Sequence, residues 1–112
     1  MKPVTLDILI TQGEALSLDI PLSPGEDFTE GWTGKAQARP YCGASILWAE
    51  FAVTFPAPGI VHLELPADAI DGLTTDSLDG YLRGTYDVIA RSGETVYRIA
   101  QGLAILKILP RE

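Results

Sequence analysis

Few side chains in this sequence have a type and spacing that could do chemistry. A hydrolytic triad needs a base to deprotonate its nucleophile, and His62 is the single histidine. Its neighbours Val61 and Leu63 carry the apolar parity of a strand, so the imidazole is expected to point outward between Ile60 and Glu64. With no partner placed by the sequence, it reads as a solvated side chain rather than a charge relay. Cys42, the single cysteine, stands beside Gly43 in an expected loop with no second thiol, and reads as an ordinary small or buried thiol. Asp68, Asp71, Asp76 and Asp79 offer oxygen ligands of the kind hard cations take, but their spacing is not that of a helix-loop-helix calcium site. Turn formation and capping explain the same aspartates. Nothing calls for the paired carboxylates of a glycosidase. No catalytic, cofactor-binding or metal-ligating residue is therefore assigned, and no cofactor is expected.

Aromatic rings can serve as sugar platforms, and Trp32, Tyr41, Trp48 and Tyr81 are the candidates. Trp32 fits the core better. Leu47 and Ala49 claim the inward parity of their strand, which leaves Trp48 outward beside Ile46. Ile60, Ile89 and Val96 also fall on outward parity, and exposed apolar area of this kind marks a partner surface. Ile46, Trp48, Ile60 and Ile89 are the candidate interface residues; cover by loops or by a terminal segment is the competing explanation.

The elements that must position these residues alternate apolar and polar side chains from Leu6 to Ile108, in about seven short runs closed by Gly, Pro, Asp or Ser. Leu6, Ile8 and Ile10 share one face, and a turn at Gln12-Gly13-Glu14 leads to Leu16, Leu18 and Ile20. Paired as a hairpin, the two runs would set Asp7 against Asp19, so the alternative that they belong to different sheets stays open. A loop is expected at Ser23-Pro24-Gly25-Glu26-Asp27, then a strand whose inner face, Trp32, Gly34, Ala36 and Ala38, is mostly small. Small residues let a facing layer come close. Leu47, Ala49, Phe51, Val53 and Phe55 point inward on the next strand, and Pro56-Ala57-Pro58-Gly59 reverses the chain into Val61, Leu63 and Leu65. Between Pro66 and Gly80 the alternation stops, and a short helical turn is expected near residues 67–72. The last hairpin is expected to turn at Ser92-Gly93, pairing Tyr86 with Ile99, Val88 with Tyr97, Ile89 with Val96, Asp87 with Arg98 and Arg91 with Glu94. A bulge after Gln101-Gly102 would start the nearly all-apolar run from Leu103 to Ile108.

Length fits one domain spanning residues 1–112, and the 46% apolar share is enough for a core without metal or disulfide. A single cysteine fits a reducing cytoplasm, and the start Met1-Lys2-Pro3-Val4-Thr5-Leu6-Asp7 does not read as a secretory signal. No run approaches the roughly 18 apolar residues of a membrane span. The net charge of −7 with scattered Lys and Arg repels a phosphate backbone, so no nucleic-acid partner is expected.

Set in order, Asp7-Ile8-Leu9-Ile10-Thr11-Gln12-Gly13, Phe28 with Gly31 to Arg39 (GWTGKAQAR), Gly59 to Pro66 (GIVHLELP), Gly84-Thr85-Tyr86-Asp87-Val88 and Arg98-Ile99-Ala100-Gln101-Gly102 resemble a known group. The chain is similar over nearly its whole length to small immunoglobulin-like β-sandwich proteins of tailed bacteriophages and prophages, of collar, tail-fibre and baseplate type. Many members continue into a polar tail beyond the last strand; this sequence ends at Arg111-Glu112. The resemblance implies an all-β, immunoglobulin-like antiparallel sandwich and a structural, non-enzymatic role. It implies a virion protein made in the host cytoplasm, assembling with other virion proteins or as a homo-oligomeric ring in the tail, neck or fibre. A carbohydrate-binding or host-adhesion module on the same fold, stacking sugars on Tyr41, Trp48 or Tyr81, is the rival expectation.

Overall fold

Wherever apolar and polar residues alternate, the chain runs as strand, and no helix occurs among the described residues, which in this computed structural model are 3–22 and 25–109. Ser23 and Pro24 of the expected loop, the start at Met1-Lys2 and the end at Arg111-Glu112 lie outside the described residues. Eight strands follow in order: β1 (Val4–Thr5), β2 (Ile8–Thr11), β3 (Leu16–Pro21), β4 (Thr33–Arg39), β5 (Ala49–Ala57), β6 (Ile60–Leu65), β7 (Tyr81–Ser92) and β8 (Thr95–Lys107). They form one curled sheet in the order β1-β8-β7-β4-β5-β6-β3, with β2 also paired to β8. The all-β expectation holds, with mixed rather than purely antiparallel pairing.

Strand β5 makes the curl possible. Its first residues, Ala49 and Phe51, pair with β4, and the rest, from Ala52 to Ala57, pairs with β6. The halves on either side of it form two layers. Ala36, Ala38, Val88, Ala90, Ala104 and Leu106 from one layer and Ile20, Val61, Leu63 and Leu65 from the other are all buried in a single apolar cluster. The small face of β4 does what its composition predicts: a Cβ on Gly34 would lie 2.2 Å from Val53 Cγ1, so the facing side chain occupies that space. Trp32 joins the core edge-on to Phe28 at 4.9 Å and stacks on Tyr97 at 5.7 Å.

The two N-terminal runs do not form a hairpin. β2 pairs in parallel with β8, placing Ile8 beside Ala104 and Ile10 beside Leu106, while β3 pairs antiparallel with β6. The unfavourable Asp7–Asp19 pairing is thereby avoided, and the chain crosses from one layer to the other at Gln12. That residue is buried, and its amide clamps the crossing: Nε2 donates to the carbonyls of Ile70 at 2.8 Å and Leu73 at 3.0 Å, and Oε1 accepts from the Leu109 N–H at 3.1 Å. The segment it grips, where a short helical turn is expected, holds single helical-type turns and no continuous helix. Ala69 N–H bonds to the Pro66 carbonyl, Asp71 to Asp68 and Leu73 to Ile70, all at 3.1–3.2 Å, a series of separate tight turns that never propagates.

The last hairpin exists, but its register differs from the expected one. The turn residues are Gly93 and Glu94, Ser92 faces Thr95, and Ile89 faces Arg98. Gly93 takes φ +59° while no non-glycine residue among those described has positive φ, the pattern of a II′ turn with glycine first. The ladder slips between Val88 and Ile89, because Val88 faces Ala100 and leaves Ile99 as the extra residue. The bulge therefore precedes Gln101 instead of following it. The expected Tyr86–Ile99, Val88–Tyr97, Ile89–Val96 and Arg91–Glu94 pairs are not formed, yet Asp87 and Arg98 still meet diagonally at 3.4 Å.

Candidate functional site

Outward parity on β4, β7, β8 and β1 brings together side chains that lie far apart in sequence. Gln37 faces Asp87 across the β4–β7 ladder, Asp87 faces Gln101 across β7–β8, and Gln101 faces Thr5 across β8–β1. Neighbouring strands lie about 4.8 Å apart, so these four form a polar row roughly 14 Å long. One step along the strands, Arg39, Thr85 and Leu103 make a second row, which Asp7 joins by accepting the Leu103 N–H at 3.0 Å. Both rows lie in a cavity of about 590 Å³ that Cys42 and Gly43 also line.

Part of this floor is held rigidly. Arg39 donates to Gln37 Oε1 at 2.6 Å and to the Ala44 carbonyl at 3.0 Å, while Gln37 Nε2 donates to Glu50 at 2.7 Å. The Tyr86 hydroxyl donates to the Leu6 carbonyl, fixing the N-terminal segment over the cavity edge. Burial, aided by the Asp7 carboxylate, pushes that phenol up to about 12, so it stays protonated and a donor. Gln101, half-buried at the centre, makes no side-chain hydrogen bond within the described protein.

The opposite layer carries a different cluster. His62 on β6 faces Asp19 on β3, with Nδ1 at 2.5 Å from Asp19 Oδ1; Nε2 lies 2.9 Å from Glu64 Oε1 and 3.4 Å from Ser17 Oγ. The lone histidine thus has partners that the sequence did not reveal. Ser17, His62 and Asp19 have the composition of a triad, but Glu64 occupies the nitrogen that would have to take the serine proton. Hydrogen bonds to Glu64 and then Asp19 raise the His62 pKa above its ordinary value, because both carboxylates favour the protonated ring.

The four candidate interface residues do not gather in one place. Ile46 lies in the β4–β5 loop, 61% exposed. Trp48, expected to point outward, is half-buried and packs against the core just before β5. Ile89 faces Lys35 and Arg98 on the layer that carries the groove, whereas Ile60 begins β6 in the other layer, opposite Pro21 and Ala57. Trp48 and Ile89 stand at different ends of the β4–β7 ladder, since the Trp48 N–H bonds to the Ala38 carbonyl and Ala38 faces Tyr86. An apolar strip that sequence reasoning missed lies elsewhere. Leu9, 52% exposed, sits directly beside Ile105, and Leu103, 49% exposed, follows on the same face of β8. The unbroken Ile8-Leu9-Ile10 and Leu103-Ala104-Ile105-Leu106 runs carried that signal, because strands apolar on both faces expect cover on both.

Among the acidic turns, Asp79 accepts from Arg83, Ser77 and the Tyr81 N–H, and these bonds, Arg83 first, hold its carboxyl well below the usual range. Among the described residues no three His, Cys, Asp or Glu side chains gather where they could hold a metal ion. Cys42 is exposed in its loop. Of the sugar-platform candidates, Tyr41 is 64% exposed and next to the loop residues that wall the groove, and Tyr81 is half-buried, with Arg83 over its ring at 5.6 Å. No protein-family model matches the chain, and no curated protein matches it.

Proposed function

We propose that this chain is a non-enzymatic structural protein of a tailed-bacteriophage virion, in its tail, neck or fibre region, that works by binding other virion proteins or copies of itself. The ordered sequence segments that resemble small phage sandwich proteins support the virion setting. The observation that carries the assembly role is the strip in which exposed Leu9 on β2 and exposed Leu103 on β8 flank half-buried Ile105, where the N-terminal strands close one side of the curled sheet. Such a surface loses its contact with water when a neighbouring subunit covers it, and burial of apolar area drives the association. Ile46 adds a second exposed apolar point near the β4–β5 loop.

The reading is tested by mass spectrometry of purified virions from a phage carrying this gene. The protein is expected at a stoichiometric level, and a Leu9→Lys, Leu103→Lys double variant that still folds is expected to be missing from the particles. Absence of the wild-type protein from virions sinks the proposal.

A further inference from the structure

The groove on the outer β4-β7-β8-β1 face has chemistry that subunit assembly does not use. Its polar groups come as planar amides, carboxylates, guanidinium groups and hydroxyls set at the strand spacing, about 4.8 Å, close to the length of one pyranose ring. Asp7 and Asp87 balance Arg39 and Arg98, so the lining is neutral in a protein whose net charge is −7. A neutral ligand meets no net field there, whereas an anionic one meets the repulsion of the chain as a whole.

Hydrogen-bonding capacity remains unspent where the cavity is central. The Gln101 amide and the Thr5 and Thr85 hydroxyls make no side-chain hydrogen bond within the described protein, while Gln37 and Arg39 are held in place by each other, by Glu50 and by the Ala44 carbonyl. Fixed groups beside uncommitted ones are what a polar ligand with many hydroxyls requires, since the fixed groups lose little freedom on binding. A volume of about 590 Å³ is ample for a small oligosaccharide. Leu103 offers an apolar patch for the C–H face of a sugar ring. An extended peptide is served less well, because the groove crosses the strands on their face, where side chains and not main-chain groups are presented.

We infer that this groove is a binding site for a neutral oligosaccharide, recognised by the row Gln37, Asp87, Gln101 and Thr5. The groove shares Leu103 with the apolar strip, whereas its recognition row, Gln37, Asp87, Gln101 and Thr5, is distinct from Leu9, Ile105 and Leu103, so variants in the row probe the site apart from the assembly role.

The test is an array of immobilised neutral and acidic bacterial oligosaccharides, probed with the labelled full chain and with single variants of matched thermal stability. Binding to neutral glycans is expected, reduced at least tenfold by Gln101→Ala and by the near-isosteric Asp87→Asn, and unchanged by Asp19→Ala on the opposite layer. Amide shifts of the isotope-labelled protein with the best soluble glycan should then map to residues 37, 85, 87 and 101. No signal on any neutral glycan, a preference for acidic ones, or equal loss with Asp19→Ala overturns the inference. Virion mass spectrometry reads the assembly role separately, so either proposal can fail while the other stands.

Discussion

The two outer faces of this curled sheet are both polar, yet they spend their polarity differently. On the β3–β6 side, Asp19, His62, Glu64 and Ser17 satisfy one another within 3.4 Å, so the cluster is closed on itself. Across the β4-β7-β8-β1 side, the cross-strand register sets amide, carboxylate and hydroxyl in rows, and the side chain of the central Gln101 has no hydrogen-bond partner among the described residues. A polar strand face becomes a site when its neighbours do not consume its hydrogen bonds. Residue type alone does not decide this, because the more reactive constellation, with its serine, histidine and carboxylate, is the one that is self-quenched.

The largest way to break the contrast is to remove one wall of the groove. A Cβ on Gly102 would sit 2.1 Å from the Leu6 carbonyl oxygen, so Gly102→Val must push the N-terminal segment off β8. A loss of about 3 kcal/mol in urea denaturation is expected, at the upper end of overpacking costs. The His62 titration on the other layer should stay as it was. Gln12→Ala acts at the crossing between the layers and strands the carbonyls of Ile70 and Leu73 and the Leu109 N–H, for an expected loss of about 2 kcal/mol by the same measurement.

His62 sharpens the comparison from the closed side. Its pKa, followed by NMR, should lie above the ordinary 6.5 and fall toward it in Glu64→Gln and Asp19→Asn. Because the folded-state value is the raised one, its stabilisation is complete below the unfolded value and fades as pH rises through the folded value. Denaturant midpoints should therefore decline slightly between about pH 6 and pH 8 in the wild type, and this part of the decline should vanish in His62→Gln. The smallest effect is expected on the open side. The Asp87–Arg98 contact is long at 3.4 Å and solvent-exposed, so Arg98→Gln should change stability by less than about 1 kcal/mol in thermal melts.

The all-β class, the inward faces of β4 and β6 and the presence of a final hairpin were legible in the sequence, because burial enforces period-two patterning. Register was not. Ser92-Gly93 and Gly93-Glu94 both offer glycine to a tight turn, and what separates them is that Ser92 does not take the positive φ that either primed turn demands of its first residue. Moving the turn by one residue shifts the ladder by two, which preserves the apolar faces and so leaves no trace in hydrophobicity. The charge match of Asp87 with Arg98 pointed to the right neighbours through the wrong ladder, since the bulge at Ile99 restores their proximity. The parallel pairing of β2 was equally hidden, as a short Gln-Gly connection favours a hairpin until Gln12 is seen gripping Ile70 and Leu73. The groove depends on all three of these facts, and that is why no motif announced it. Trp48 shows the opposite failure: parity placed it outward, but it precedes β5 in the loop and packs inward.

Parallel pairing of the N-terminal strands with β8, Val4 beside Ala100 and Ile8 beside Ala104, also dictates when the protein can be finished during its synthesis. As the nascent chain leaves the ribosome, β3 to β7 can find their partners in turn, while β1 and β2 have none until β8 has emerged. Contacts that join such distant segments close late. Through that interval Ile8, Leu9 and Ile10 stay uncovered, so the residues that complete the sheet are also those most open to capture by another chain, whether a chaperone or a second copy of the same protein.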